Sequence, residues 1–163
     1  MPPFARFEWT WEGLAAGIAA TAPLLVGLRW CLRTRWPPIV RLMEVVEERV
    51  APLFAGATPA HLAAVALLAG LGEEALFRGV LQEVLAGIVP AWAALLVASL
   101  GFGAAHWVTP AYAVLAAAVG LYLGLLYAIS DNLLAPIVTH ALYDLVALAV
   151  LARMKPASSP TVV

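Results

Sequence analysis

Long apolar runs separated by short polar stretches dominate the chain, and five of them have the length expected of a membrane-spanning helix. They extend from about Trp11 to Trp30, Ala60 to Leu85, Ala91 to Trp107, Ala111 to Ile129 and Leu133 to Leu151. A helix needs about 20 mostly apolar residues to cross the hydrocarbon core of a bilayer. A proline lies at or near the start of each of the last three runs, where its missing N–H costs little. The pattern predicts an all-α fold, a polytopic membrane helix bundle with about five transmembrane helices.

The stretch between the first two runs has a different pattern. Apolar residues recur there at helical spacing, at Ile39, Leu42, Met43, Val46 and Val50, and charged residues fill most of the remaining positions. This spacing predicts one amphipathic helix that lies at the membrane interface. A solvated linker helix is the alternative.

The composition also indicates a membrane protein. The chain is 64% hydrophobic and 12% charged, with a mean hydropathy of +0.94, whereas soluble domains are about 45–50% apolar and about 25% charged. No basic, aromatic-interleaved patch suggests nucleic acid as a partner. Cys31 is the single cysteine, so an intrachain disulfide is excluded. Because Glu8 and Glu12 interrupt a would-be signal sequence, we interpret the first run as an uncleaved transmembrane helix.

The domain organisation predicted from these runs is one membrane domain over residues 1–163. It comprises a leading helix with its amphipathic connector over 11–58, a helical core over 59–152 and a flexible polar tail over 153–163. Basic residues of short loops favour the cytoplasmic side. With five spans, most of them share one side, namely Arg29, Arg33, Arg35, Arg41, Arg49, Arg153 and Lys155. The predicted orientation is therefore N-out and C-in.

Seven ionisable residues within the apolar runs are the candidates for chemistry, namely Glu73, Glu74, Arg78, Glu83, His106, His140 and Asp144. Each costs roughly 2.5–3.5 kcal/mol on membrane-insertion scales, and such residues are candidates for function by default. Glu74 and Arg78 are four residues apart and can pair on one helix face. Glu73 is rotated from Glu74 by about 100°, so a group on another segment must satisfy it. The alternative is that these charges form a buried polar cluster that only holds the bundle together.

Two histidine motifs supply possible partners on other segments. His106 follows small residues near the end of the third run, and His140 lies four residues before Asp144 in the fifth. Of the remaining polar residues, we expect His61 to be interfacial and passive and Glu83 to be solvated. Asp131 and Asn132 are expected to form a turn and a helix cap.

These side chains suit the activation of a water molecule. A glutamate with a histidine partner can act as a general base, and a second histidine with its neighbour can stabilise an oxyanion. Glu73, His106 and His140 could instead be ligands of zinc, which binds histidine and carboxylate. No serine or cysteine has a base nearby in the pattern, so nucleophilic catalysis by either is disfavoured.

Three motifs in this order resemble the CPBP family, the CAAX prenyl-protease and bacteriocin-processing proteins, also called Abi. They are GEEALFRGVLQ, FGAAH and HALYD, and the resemblance covers roughly residues 55 to 150. It implies an intramembrane glutamate protease in which Glu73 activates water, with His106 as its partner. His140 and Asp144 would then form the oxyanion site, with Glu74, Arg78 and Phe102 in support.

One position departs from the family pattern. Asparagine is common where this chain has Asp144, and an ionised carboxylate cannot donate a hydrogen bond to an oxyanion. Asp144 must therefore be protonated, or it must orient His140 so that the imidazole alone donates. Depth raises a second question. With straight helices, His106 would lie near the cytoplasmic end and His140 near the other, unless tilt or a non-helical entry to the fifth run brings them level.

The predicted function is hydrolysis of a peptide bond in a membrane-associated protein or peptide precursor by glutamate-activated water, without a cofactor. The partners would be the bilayer and a protein or peptide substrate, such as a C-terminal sorting tail. The alanine-rich composition suggests a bacterial inner membrane. A zinc-dependent version of the protease and a non-catalytic scaffold or immunity protein are the alternatives. A transporter is disfavoured because the short bundle shows no repeats.

Overall fold

A computed structural model describes residues 5–154, and every regular element in this range is helical. Four helices are long and apolar enough to span a membrane, and a fifth is shorter. We number the helices α1 Trp11–Cys31, α2 Pro37–Val45, α3 Pro59–Ala86, α4 Ala91–Ala105, α5 Pro110–Ser130 and α6 Leu134–Leu151. The predicted all-α membrane bundle is confirmed. The predicted polar tail falls mostly on residues 155–163, which lie outside the described residues.

The third predicted segment is shorter than expected. α4 has 15 residues and ends at Ala105, two residues before the predicted end. At about 1.5 Å per residue it is roughly 22 Å long, which is less than the hydrocarbon thickness of about 30 Å. His106 leaves helical geometry (φ −99°, ψ 29°) and Pro110 begins α5. The helix therefore ends inside the apolar run, at the histidine that the sequence singled out.

The connector between α1 and α3 packs its apolar face on the bundle. α2 passes into a π-helical turn, Val46–Val50, and a 3₁₀ turn, Ala51–Phe54. Ile39 and Leu42 are buried. The predicted amphipathic helix is thus present, and it becomes irregular after Val45.

α6 lies at the centre of the bundle, between α1 and α3. Gly17 of α1 and Gly70 of α3 have no room for a side chain. A Cβ at Gly17 would lie 2.7 Å from the Ala135 carbonyl oxygen, and one at Gly70 would lie 2.9 Å from the Ala141 nitrogen. Small residues permit such close approach of membrane helices, and the Thr139 hydroxyl donates across it to the Gly17 carbonyl at 2.9 Å.

The start of α6 is recessed beneath residues 6–10, which we call the N-terminal strap. Asp131 ends α5 in the left-handed region (φ 49°). The amide of Asn132 donates to the Glu8 carbonyl at 2.9 Å, and its oxygen accepts from the N–H groups of Glu8 and Leu134. The Leu133 N–H donates to the Arg6 carbonyl at 2.7 Å. This non-helical entry is satisfied by protein groups, as a membrane interior requires.

The expectation that Glu83 is solvated is wrong. Its side chain is only 13% exposed and lies 3.5 Å from the guanidinium of Arg6, which also pairs with Asp131 at 2.9 Å. A residue near the N-terminus thus neutralises a carboxylate at the end of α3. Sequence spacing carries no information about so distant a partner.

Candidate active site

The charged residues Glu73, Glu74 and Arg78 of α3 lie where that helix changes its geometry. Regular α-helix ends at Glu74, and Ala75–Gln82 is π-helical before a last α turn, Glu83–Ala86. Its backbone bonds run i→i+5, a wider turn found often at functional sites. The sequence interpretation treated the whole run as one regular helix, because an apolar run gives no signal for such a change.

Glu74 and Arg78 form the buried pair that their spacing predicts. The Arg78 Nη1 donates to Glu74 Oε1 at 2.8 Å, with side-chain exposures of 1% and 0%. Its other terminal nitrogen donates to the Gly120 carbonyl of α5 at 2.7 Å, and the guanidinium lies 4.8 Å from the Phe102 ring centroid. Arg78 therefore links α3, α4 and α5 through one side chain.

The same carboxylate fixes the first imidazole. His140 Nδ1 lies 2.8 Å from Glu74 Oε1. Because a carboxylate paired with arginine only accepts hydrogen bonds, Nδ1 carries a proton and donates it. His140 Nε2 then faces Asp144 Oδ2 at 3.5 Å and Glu73 Oε2 at 4.0 Å.

The second imidazole is fixed in the same way by a backbone carbonyl. His106 Nδ1 lies 2.8 Å from the Phe102 carbonyl oxygen, which can only accept. Its ring stacks on Phe102 at a centroid distance of 4.4 Å, and its Nε2 lies 3.4 Å from Glu73 Oε2. These tautomers follow from the partners of each nitrogen.

Glu73 is the point on which both imidazoles converge. Its side chain is 34% exposed, but its Oε2 is buried and makes no hydrogen bond within residues 5–154. The partner that Glu73 was expected to have on another segment is therefore the Nε2 atom of His106, and the Nε2 atom of His140 lies somewhat farther away.

The depth mismatch expected for straight helices is absent, because the Nε2 atoms of both histidines lie within 4.0 Å of Glu73 Oε2. α4 is short, and His106 lies at its very end. The start of α6 is recessed under the N-terminal strap, with Leu133, Leu134 and Ala135 at most 1% exposed. The non-helical entry is confined to residues 131–133, since α6 is helical from Leu134 through Pro136.

A largely apolar cavity of about 500 Å³ opens beside this cluster. Phe102, His106, Tyr112, His140 and Asp144 line its polar end. Its remaining walls are apolar residues from the end of α1, the connector, α5 and the end of α6, among them Leu28, Leu42, Met43, Phe54, Val119 and Leu151. Glu73 does not line the cavity, but its carboxylate lies next to the His106 and His140 imidazoles, which do.

Zinc bound by Glu73, His106 and His140 is the alternative that the sequence left open. Across residues 5–154, no group of three or more His, Cys, Asp or Glu side chains is placed so that it could hold a metal ion. The zinc alternative remains a prediction.

Sequence analysis missed several residues that position this cluster. Gln82 Nε2 donates to the Gly124 carbonyl at 3.3 Å, one turn beyond the Arg78–Gly120 bond. Arg78 and Gln82 are four residues apart, and so are their acceptors Gly120 and Gly124. An Arg-x-x-x-Gln motif in α3 and a Gly-x-x-x-Gly motif in α5 were therefore the sequence signal for this contact. Tyr112 was also missed, because it belongs to none of the three motifs.

Comparison with known families gives a match over residues 55–146 to the family described as type II CAAX prenyl endopeptidase, Rce1-like. This range is more than half of the 163-residue chain and contains all the ionisable residues of the site. No curated protein and no solved structure matches the chain. The resemblance drawn from the three motifs is confirmed.

Proposed function

The chain belongs to the Rce1-like family of type II CAAX prenyl endopeptidases, and on this premise we propose that it hydrolyses a peptide bond by glutamate-activated water. The family supports a membrane-embedded protease acting on a peptide substrate. The glutamate mechanism rests on one observation, the approach of two oriented imidazoles to Glu73 Oε2 at 3.4 and 4.0 Å.

Glu73 and His106 would act as one general base. His106 lines the cavity and Glu73 lies behind it. The attacking water gives its proton to this pair while its oxygen bonds to the carbonyl carbon. The resulting tetrahedral intermediate collapses, the C–N bond breaks, and the same pair returns the proton to the leaving amine. General-base catalysis of this kind contributes about 10²–10⁴-fold in rate.

The other members of the cluster would position the base. Glu74 accepts from Arg78 and His140, and Arg78 reaches α5, so the three fix α3, α5 and α6 relative to one another. Phe102 holds His106 through its carbonyl and its ring. His140 and Asp144 face the cavity, where the family resemblance places the oxyanion.

We propose that residues 11–58 and 59–152 work as one domain. The polar cluster lies wholly on the second range, but Leu28, Leu42 and Phe54 of the first form part of the cavity wall. An apolar cavity bounded by an amphipathic connector suits the apolar tail of a membrane-associated protein or a peptide precursor. The proposed location is a bacterial inner membrane, with the N-terminus outside.

The experiment that tests this function compares the termini of membrane and secreted proteins in three strains. The gene is deleted, restored as wild type, or restored as Glu73→Gln at equal expression. New termini are expected with wild type only, and they identify the substrate and the bond.

If Glu73→Gln restores every terminus that wild type restores, the glutamate mechanism is wrong and the scaffold or immunity alternative gains. The zinc alternative makes a separate prediction. Purified protein would contain stoichiometric zinc, and chelation would abolish cleavage.

A further inference from the structure

The cluster has few hydrogen-bond donors left for the oxyanion that peptide hydrolysis creates. His140 Nδ1–H is engaged by Glu74 at 2.8 Å. Its Nε2 faces the carboxylates of Asp144 and Glu73, so it bears a lone pair or a proton held between two acceptors. His106 has donated its Nδ1–H to the Phe102 carbonyl. An ionised Asp144, at a position where the family commonly has asparagine, has no proton to give.

Tyr112 offers an unused donor at the same end of the cavity. It lies in the first turn of α5, where the Thr109 hydroxyl accepts from its backbone N–H at 3.1 Å. Its ring packs edge-on against His106 at a centroid distance of 6.1 Å, and it lines the cavity together with His106, His140 and Asp144. Its hydroxyl makes no hydrogen bond within residues 5–154.

We propose that Tyr112 is a catalytic residue whose hydroxyl donates a hydrogen bond to the carbonyl oxygen of the scissile bond. This inference rests on the proposed function. As water adds to the carbonyl carbon, the C=O π electrons move onto the oxygen, and the Tyr112 O–H stabilises that charge. No proton is transferred to the oxygen, and the hydrogen bond weakens again when the C–N bond breaks.

The position suits this role because the phenol comes from an element other than the general base. Glu73 is on α3 and His106 ends α4, whereas Tyr112 follows on α5 after a short turn. The imidazole and phenol are adjacent and nearly perpendicular, with an interplanar angle of 72°. A substrate carbonyl group bound between the two rings could contact the attacking water on the His106 side and the hydroxyl donor on the Tyr112 side.

The test uses membranes from strains that express the full chain at equal levels and measures the initial rate of cleavage. The probe is a fluorogenic peptide that spans a cleavage site mapped by the terminus comparison. Tyr112→Phe removes only the hydroxyl. It is expected to lower kcat by about 10²-fold, the loss typical of one oxyanion donor, and to change KM by less than threefold.

Tyr122→Phe is the matched control. It removes a hydroxyl from the same helix, outside the cavity, and breaks a 2.8 Å hydrogen bond to the Ala20 carbonyl. It is expected to lower the thermal unfolding temperature while leaving kcat within threefold of wild type. Tyr112→Phe should instead lower kcat and leave the thermal unfolding temperature unchanged.

A rescue variant separates donation from other uses of the hydroxyl. Asp144→Asn introduces an amide donor next to His140, so Tyr112→Phe combined with Asp144→Asn should cleave at least tenfold faster than Tyr112→Phe. A double variant no faster than Tyr112→Phe overturns the donor role. The donor role is also overturned if Tyr112→Phe cleaves within threefold of the wild-type rate while Glu73→Gln is inactive. A Glu73→Gln rate equal to wild type instead overturns the proposed function, independently of Tyr112.

Discussion

Two neighbouring glutamates on α3 have opposite surroundings. Glu74 is fully buried and joins Arg78 and His140, whereas the Glu73 side chain is 34% exposed and has no hydrogen bond to its buried oxygen. Glu74 is therefore engaged by structural partners, whereas Glu73 has a carboxylate oxygen without a hydrogen bond, as the proposed general base requires.

The two positions should separate stability from activity. Glu74→Gln leaves Arg78 as an uncompensated buried charge, so it should lower the free energy of unfolding by about 3 kcal/mol, as breaking buried ion pairs does. Glu73→Gln should change it by less than about 0.5 kcal/mol, like other substitutions that remove no partner. Unfolding of the purified proteins in detergent measures both. Equal stability of the two variants would contradict this assignment.

Sequence spacing reveals partners within a helix better than partners between helices. The Glu74–Arg78 pair followed from four-residue spacing, and so did the shared face of His140 and Asp144. The shorter contact of His140 is with Glu74, 2.8 Å against 3.5 Å. It could not be derived, because the relative rotation of α3 and α6 depends on how Gly70 lets the helices approach.

At the scale of elements, the hairpin of α4 and α5 sets the position of His106. Gly103 lies three residues before it and abuts α5. A Cβ at Gly103 would lie 2.6 Å from the Ala113 carbonyl oxygen and 2.7 Å from the Ala117 Cβ. The two helices can therefore keep this distance only with glycine at that position.

A single methyl group should disturb the hairpin. Gly103→Ala is expected to destabilise the protein by about 1–3 kcal/mol, the usual cost of overpacking, and to reduce the cleavage rate at least tenfold by displacing His106. Gly27→Ala in α1 is the control. No atom lies within 4 Å of its added Cβ, so it should be neutral or stabilising by up to about 1 kcal/mol. Unfolding and cleavage assays on both variants provide the comparison, and a wild-type rate for Gly103→Ala would refute it.

The elements themselves were largely predictable, and their irregularities were not. Long apolar runs gave the spans to within a few residues. The π-helical turn at Ala75–Gln82 and the early end of α4 were missed. Both coincide with side-chain contacts that hydrophobicity does not encode. Arg78 and Gln82 contact α5, and His106 contacts the Phe102 carbonyl and Glu73.

At the scale of the whole molecule, Arg29, Arg33 and Arg153 lie at one end of the bundle. α1 and α6 run parallel, since Gly13 abuts Leu134 and a groove near their other ends is lined by Arg29, Arg33 and Val150. Arg153 follows α6 directly, at the same end. Arg6 lies at the opposite end with Glu83 and Asp131. We propose that the arginine-rich end faces the cytoplasm.

Cysteine labelling tests this orientation. In a Cys31→Ser background, Gly87→Cys places a thiol in the exposed turn between α3 and α4, and Ala55→Cys places one before α3. A membrane-impermeant maleimide added to intact spheroplasts should label Gly87→Cys, and Ala55→Cys only after permeabilisation. The reverse pattern would invert the proposed topology.

The recessed entry to α6 has a consequence for biogenesis. His140 and Asp144 are on α6, which leaves the ribosome after α1 to α5, and its first residues are bound by the strap at residues 6–10. The proposed active site, which includes these two residues, therefore cannot be complete until α6 is inserted and docked beneath the strap. Under the proposed function, we therefore expect the nascent protein to be inactive until α6 has docked, so that helices still being inserted are not cut.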